Sequence, residues 1–147
     1  MIIRPMAKED LGQAAWIEAS CFRESWSEEV LRESFGKPWN LFYVAEEGGG
    51  LAGYGAACAI AGEGEIQRLA VLPPFRQRGL GRELLEKLEE ALREKGVGAI
   101  ALEVRESNIP ARKLYISAGF QEEARRKDYY RNPKEDGVIM GNRGRPE

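Results

Sequence analysis

Residues 65–104 read EIQRLAVLPPFRQRGLGRELLEKLEEALREKGVGAIALEV, and this stretch limits the possible folds more than any other. EIQRLAV is a strand-like run stopped by Pro73-Pro74, because proline lacks the N–H that a ladder needs. Leu80, Leu84, Leu85, Leu88, Ala91 and Leu92 then recur at helical spacing, and Gly96 closes the helix. Ala99–Val104 returns as a short apolar strand. A strand, a helix and a second strand of this length predict a crossover with a parallel strand pair.

The flanks read differently. Ile2-Ile3 is a short strand ended by Pro5. Asp10 opens a helix with Gln13 as capping-box partner and an apolar face of Leu11, Ala14, Ala15, Ala19 and Phe22. Ser25–Phe35 is a second helix, with Ser25 or Ser27 as cap. LFYVAEE, LAGYGAACAI and EIQRLAV form a meander turned at Gly48-Gly49-Gly50 and again at Gly62 and Gly64. Asn108 caps a further helix with Pro110 in its first turn, and Gly119 ends it. FQEEARRKDYY and DGVIMGN make a final antiparallel pair, and the polar ending GNRGRPE predicts a frayed terminus. The order is βααβββαβαββ: an α/β fold with a mixed, mostly antiparallel sheet and helices on both faces. With 147 residues and no linker or repeat, the expectation is a single domain over 1–147.

Composition narrows the chemistry. The net charge of −2 argues against a nucleic-acid partner. No apolar run approaches the ~20 residues that cross a membrane, and MIIRPMAKED lacks a signal-type apolar segment. The reading is a cytoplasmic protein with no membrane partner. Cys21 and Cys58 show no metal-binding spacing and read as free thiols in a reducing compartment. The chain has no histidine, which removes imidazole bases and most zinc chemistry, so no metal is expected. An acid or base here must be Glu, Asp, Tyr, Lys or Cys.

FRQRGLGR stands at the strand-to-helix junction. A helix N-terminus exposes unpaired N–H groups and positive potential. Gly79 and Gly81 carry no Cβ, and Arg76, Arg78 and Arg82 add charge, so the stretch reads as a phosphate or pyrophosphate cradle. A tight turn with solvated arginines is the simpler alternative. Neither the Walker A pattern nor the dinucleotide fingerprint is present.

EIQRLAVLPPFRQRGLGRELL resembles the coenzyme-binding core of the GNAT N-acetyltransferases, whose pyrophosphate loop Q/R-x-x-G-x-G/A is matched by Arg76, Gly79 and Gly81. LEVRESNIPARKLYISAGF, CFRESWS and RRKDYY…EDGVIM are similar to the branch that acetylates the N-terminal alanine of ribosomal proteins. The resemblance covers nearly the whole chain in the family's element order. It implies acetyl-CoA as cosubstrate, a central strand pair splayed around it, and direct transfer to a protein N-terminal amine, that of a small-subunit ribosomal protein. Another N-terminus, a lysine or a small amine is the alternative acceptor, and a non-catalytic acyl-CoA-binding module is the alternative to an enzyme.

The resemblance also implies roles for individual residues. Gln77 and Leu80 join the arginines and glycines of the loop as coenzyme contacts. The backbone of Leu69, Ala70 and Val71 would pair with the coenzyme's pantetheine arm and polarise its thioester, while their side chains read as core. Asn108 would add a contact beyond its helix cap. Glu103, a carboxylate inside an apolar strand, reads either as an outward-facing residue or as the implied general base, with Glu65 as the alternative. Tyr115 reads either as a core aromatic or as the implied proton donor to the coenzyme sulfur. Trp26, Tyr129 and Tyr130 would line the acceptor side with Glu65. Glu18, Glu24 and Glu28 read as solvated or as favouring a cationic peptide. Arg68, a charge within EIQRLAV, is expected to alter the acceptor pocket.

Overall fold

The computed structural model describes residues 1–143. Its elements are β1 (Ile2–Pro5), α1 (Leu11–Cys21), α2 (Glu28–Phe35), β2 (Asn40–Glu47), β3 (Gly50–Ile60), β4 (Glu63–Val71), α3 (Leu80–Glu94), β5 (Ala99–Arg105), α4 (Ile109–Ser117), β6 (Gln121–Tyr130) and β7 (Glu135–Asn142). This is the predicted order. The strands form one sheet in the order β1-β2-β3-β4-β5-β7-β6. Every neighbouring pair is antiparallel except β4 and β5, the pair joined by the α3 crossover.

Two cores cover the two faces of the sheet. On one, Leu85, Leu88 and Leu92 of α3 pack on Ile66, Ile100, Leu102, Val104, Val138 and Met140. Burying each of those leucines contributes roughly 1.5–3 kcal/mol. On the other, Leu11, Ala14 and Ile17 of α1 and Leu31 of α2 pack on Phe42, Val44, Tyr54, Ala56 and Ala70. No helix among the described residues is long and apolar enough to cross a membrane.

The parallel ladder is short. Only Glu63↔Ala99, Gly64↔Ile100 and Glu65↔Ala101 are paired. Beyond Glu65, β4 stays paired with β3 and β5 stays paired with β7, but the two part from each other. A bulge lies where they part. Ala57 faces Ile66 and Ala56 faces Arg68, which leaves Gln67 as an extra residue in β4. Such an insertion bends the strand that carries it.

Some local expectations are corrected. No capping box opens α1. The Asp10 carboxylate instead takes the Ala7 N–H at 2.7 Å and both guanidinium nitrogens of Arg4, at 2.7 and 3.0 Å. Gln13 turns away to accept the Leu51 N–H at 3.0 Å. The inner face of α1 is Leu11, Ala14, Ile17 and Glu18, and Ala19 is exposed. Helix α2 starts only after Ser27, whose hydroxyl accepts the Val30 N–H. Gly141 and Asn142 close β7, and the rest of the polar ending, 144–147, lies outside the described residues.

Gly53 in β3 allows a close approach to β4. A Cβ there would lie 2.6 Å from the Ala70 carbonyl oxygen, a backbone atom held in the sheet. Gly53→Ala is therefore expected to cost about 1–3 kcal/mol, seen as a lower urea midpoint with an unchanged slope.

Candidate active site

The parting of β4 and β5 opens three cavities that share walls. The largest, about 750 Å³, lies between the end of β4, the start of α3 and α4. A middle one of about 210 Å³ fills the opening itself. The third, about 520 Å³, lies on the side of Glu65, Glu103 and the β6–β7 turn.

The large cavity is lined by Leu69, Ala70, Val71, Arg76, Gln77, Gly79, Leu80, Gly81, Arg82 and Asn108. Beyond Glu65 the β4 backbone has no strand on its β5 side, so its polar groups there face the opening. Gln77 and Gly79 both adopt positive φ, +64° and +81°, which turns the chain sharply into α3. A Cβ on Gly79 would meet nothing within 4 Å, so its requirement is conformational rather than spatial. The first helical bond runs from Glu83 N–H to Gly79 O, which leaves the N–H groups of the first turn free for an anion.

The three arginines diverge. Arg76 lies over the cavity, with Nε donating to Val71 O at 2.8 Å. Arg82 is braced by Ser117 Oγ at 2.9 Å and by Glu86 at 3.0 Å. Arg78 is not part of the cavity wall, contrary to its expected coenzyme contact. Its guanidinium points to Glu47, 3.3 Å away, and lies over the Phe75 ring. Residues with no expected site role, Cys21, Phe22, Phe75, Pro110, Ala111 and Leu114, also line the wall. Nothing in their local sequence sets them apart from core residues.

Tyr115 reaches the large and middle cavities from α4. It packs on Phe120, with ring centroids 5.9 Å apart. Burial, and to a lesser degree Tyr130, pushes its phenol up to about 12, so it stays protonated at neutral pH. Asn108 lines the same two cavities while its side chain caps α4 through the Ala111 N–H at 3.3 Å.

Glu103 projects from β5 into the middle and third cavities. Its Oε1 meets Arg126 Nε at 3.1 Å, whereas Oε2 is buried with no hydrogen-bond partner among the described residues. Glu65 shares the third cavity. Burial raises its carboxyl above the ordinary range, the Glu103 charge adds to that, and Arg126 opposes it. Tyr129 and Tyr130 stand edge to face at 5.1 Å in the same wall, with the Arg105 guanidinium 4.4 Å over Tyr130.

Trp26 does not line this cavity. Its indole lies against the Arg68 guanidinium at 4.5 Å and belongs to the α1–α2 core, while its neighbour Glu24 takes the place in the wall. Glu18 is no solvated helix charge either: it is fully buried and bonded to Arg68 at 2.7 and 3.0 Å. Its place was legible, since Glu18 lies seven residues after Leu11 and four after Ala14 on the same apolar stripe. Glu28 is exposed and pairs with Arg32.

The Glu65 shift gives a signed pH dependence. A raised carboxyl pKa means that the fold disfavours the charged form. The penalty is absent below the ordinary carboxyl range and complete once pH exceeds the folded value. Glu65→Gln is therefore expected to raise Tm near pH 7, with the gain closing towards about pH 4 in circular-dichroism melts.

Comparison with known proteins gives a consistent picture. The model of the acetyltransferase (GNAT) family matches residues 11–120. The chain is 34% identical over 140 residues to the [ribosomal protein bS18]-alanine N-acetyltransferase of Escherichia coli, covering 94% of each chain. The crystal structure of the ribosomal-protein-S18-alanine N-acetyltransferase from Escherichia coli superposes with a TM-score of 0.89 at 32% identity, covering 99% of this chain and 96% of that one. A Thermoplasma acidophilum PaiA N-acetyltransferase in complex with coenzyme A superposes with a TM-score of 0.77 at 25% identity, covering 97% and 98%.

Proposed function

We propose that this chain, which belongs to the acetyltransferase (GNAT) family, moves the acetyl group of acetyl-CoA onto a protein N-terminal α-amine, with the N-terminal alanine of ribosomal protein bS18 as its acceptor. One observation carries the reading. The middle cavity shares Tyr115 with the large cavity and Glu103 with the third, so a phenol and a carboxyl stand in the wall of one opening. A carboxylate and a phenol across one opening are what a thioester-to-amine transfer requires in a chain without histidine.

The large cavity fits the coenzyme. The free N–H groups at the start of α3, with Arg76 and Arg82, suit a pyrophosphate, and the open backbone of Leu69–Val71 suits an amide-bearing arm. Bound there, acetyl-CoA supplies an activated acyl group and a thiolate leaving group. A β4 N–H near Leu69–Val71 donates to the carbonyl oxygen as charge develops on it.

The acceptor arrives as an ammonium, and two protons must leave its nitrogen. The Glu103 carboxylate takes the first, directly or through a water, and passes it to solvent. The second leaves the nitrogen as the amide forms and goes to the sulfur, which Tyr115 meets with its O–H. A phenol pushed up to about 12 is a hydrogen-bond donor first, and hands over its proton only as it regains one. Arg126 pairs with Oε1 and fixes the direction of the carboxylate. Cys21 lines the coenzyme cavity, but burial raises its thiol pKa despite nearby Arg76, which favours direct transfer over an acetyl-cysteine. A ribosomal acceptor assigns the reaction to the cytoplasm.

The test follows thiol release from acetyl-CoA with an Ala-initiated peptide and with the same peptide N-terminally blocked but carrying a lysine. Turnover on the free peptide alone is expected. Turnover on the blocked one would move the acceptor to lysine. No turnover on either, with acetyl-CoA still bound, would leave a binding module. In the active enzyme, Glu103→Gln is expected to lower kcat/KM by about 10²-fold or more, most strongly on the acidic side of the profile. Tyr115→Phe should lower kcat by a similar factor.

A further inference from the structure

The segment between α1 and α2, residues 22–27, touches both substrate sites. Phe22 lines the large and middle cavities, and Glu24 lines the acceptor cavity. The segment makes no strand or helix of its own, and most of it is exposed. Arg23 ties it to the Asn132 carbonyl at 2.5 Å, and a second guanidinium reaches three of its residues. Arg68 of β4 donates from Nη2 to the Glu24 carbonyl at 2.9 Å and lies between the rings of Phe22, at 4.4 Å, and Trp26, at 4.5 Å.

That guanidinium is itself fixed from below. Nε and Nη2 form a two-pronged contact with the Glu18 carboxylate at 3.0 and 2.7 Å. Glu18 also accepts the Trp26 N–H at 2.8 Å and the Tyr54 hydroxyl. The carboxylate is therefore buried but fully bonded, with partners from β3, β4 and the segment itself. Burial and the adjacent carboxylate raise the Tyr54 phenol far above its usual value, so it remains a donor.

Stability alone does not require this arrangement, since a buried ion pair is often no better than packed apolar residues. Direction is what it supplies. A flat, forked cation can stack on two rings while bonding in its own plane, which an ammonium cannot do.

We propose that Arg68, oriented by buried Glu18, is the positioning residue for acceptor recognition: it holds residues 22–26 as the partition between the coenzyme cavity and the acceptor cavity. The proposal rests on the acetyl-transfer reading for its kinetic part only. Its geometric part is that Arg68 keeps Trp26 and Glu24 in place.

Trp26 reports on the geometry. The chain has three tryptophans, and the other two, Trp16 and Trp39, are exposed, so Phe at both leaves Trp26 as the lone indole. In that background Arg68→Met is the first variant. Because it strands a buried carboxylate, Glu18→Gln/Arg68→Met is made beside it to remove both charges and keep the fold. The expected result is greater acrylamide quenching of Trp26, with acceptor-peptide KM raised about tenfold or more and acetyl-CoA KM within about twofold. Arg68→Lys should recover only part of the loss. Unchanged Trp26 quenching in the double variant would overturn the proposal. So would a freed Trp26 with unchanged acceptor KM, or an equal rise in both KM values. If the parent protein turns over no peptide, the acetyl-transfer reading fails, and quenching alone then decides whether Arg68 holds the segment.

Discussion

The three-pair ladder between β4 and β5 is the constraint on which the rest depends. A sheet normally satisfies both edges of an interior strand. Here β4 is paired with β3 on both sides of the Gln67 bulge, and β5 with β7, while the facing edges separate after Glu65 and Ala101. The gap is therefore held open from outside by two continuous ladders and does not rely on a flexible loop. Polar backbone at the centre of a sheet, left without a strand to pair with, is a ready partner for an extended ligand.

The opening is electrically polarised along its length. At one end lie a helix N-terminus, Arg76 and Arg82. At the other lie Glu65, Glu103 and Glu24, with Arg131 in the same wall and Arg126 on Glu103. The carboxylates line only that end, a grouping that a net charge of −2 does not display. On the proposed acetyl-transfer reading, an anionic coenzyme is drawn to the first end and a cationic amine to the second. Other arginines around the slot are neutralised locally: Arg78 by Glu47, Arg68 by Glu18, Arg105 by Glu135.

The element order was legible in the sequence because each element carries its own period and its own stops. Gly96, Gly119, Ser27 and Asn108 act within a few residues of themselves, and local chemistry is what a sequence displays. The side of the large cavity made by the loop and the strand before it was legible to the same degree, since those two are contiguous, whereas the side made by α1 and α4 was not. What could not be read depends on partners distant in sequence. Arg78 turns to Glu47, 31 residues away, and Gln13 turns to Leu51, 38 away. Trp26 is claimed by Arg68, which is itself claimed by Glu18, so the expected acceptor aromatic became part of the support beneath the acceptor site. Arg68 lines the cavity beside Glu65 and Glu103 as a neutralised and stacked group rather than a free charge.

The extra residue in β4 has a further consequence. Side chains along a strand alternate between faces, so one inserted residue shifts the phase of everything after it by half a period. Ile66 and Leu69 both face α3, and Arg68 and Ala70 face α1. Were Gln67 an ordinary member of the ladder, the alternation would carry Arg68 into the leucines of α3 and Leu69 towards Glu18. The bulge therefore acts as a built-in frameshift. It lets one nine-residue strand present apolar residues to the same helix on both sides of the break while delivering a single cation to the opposite layer.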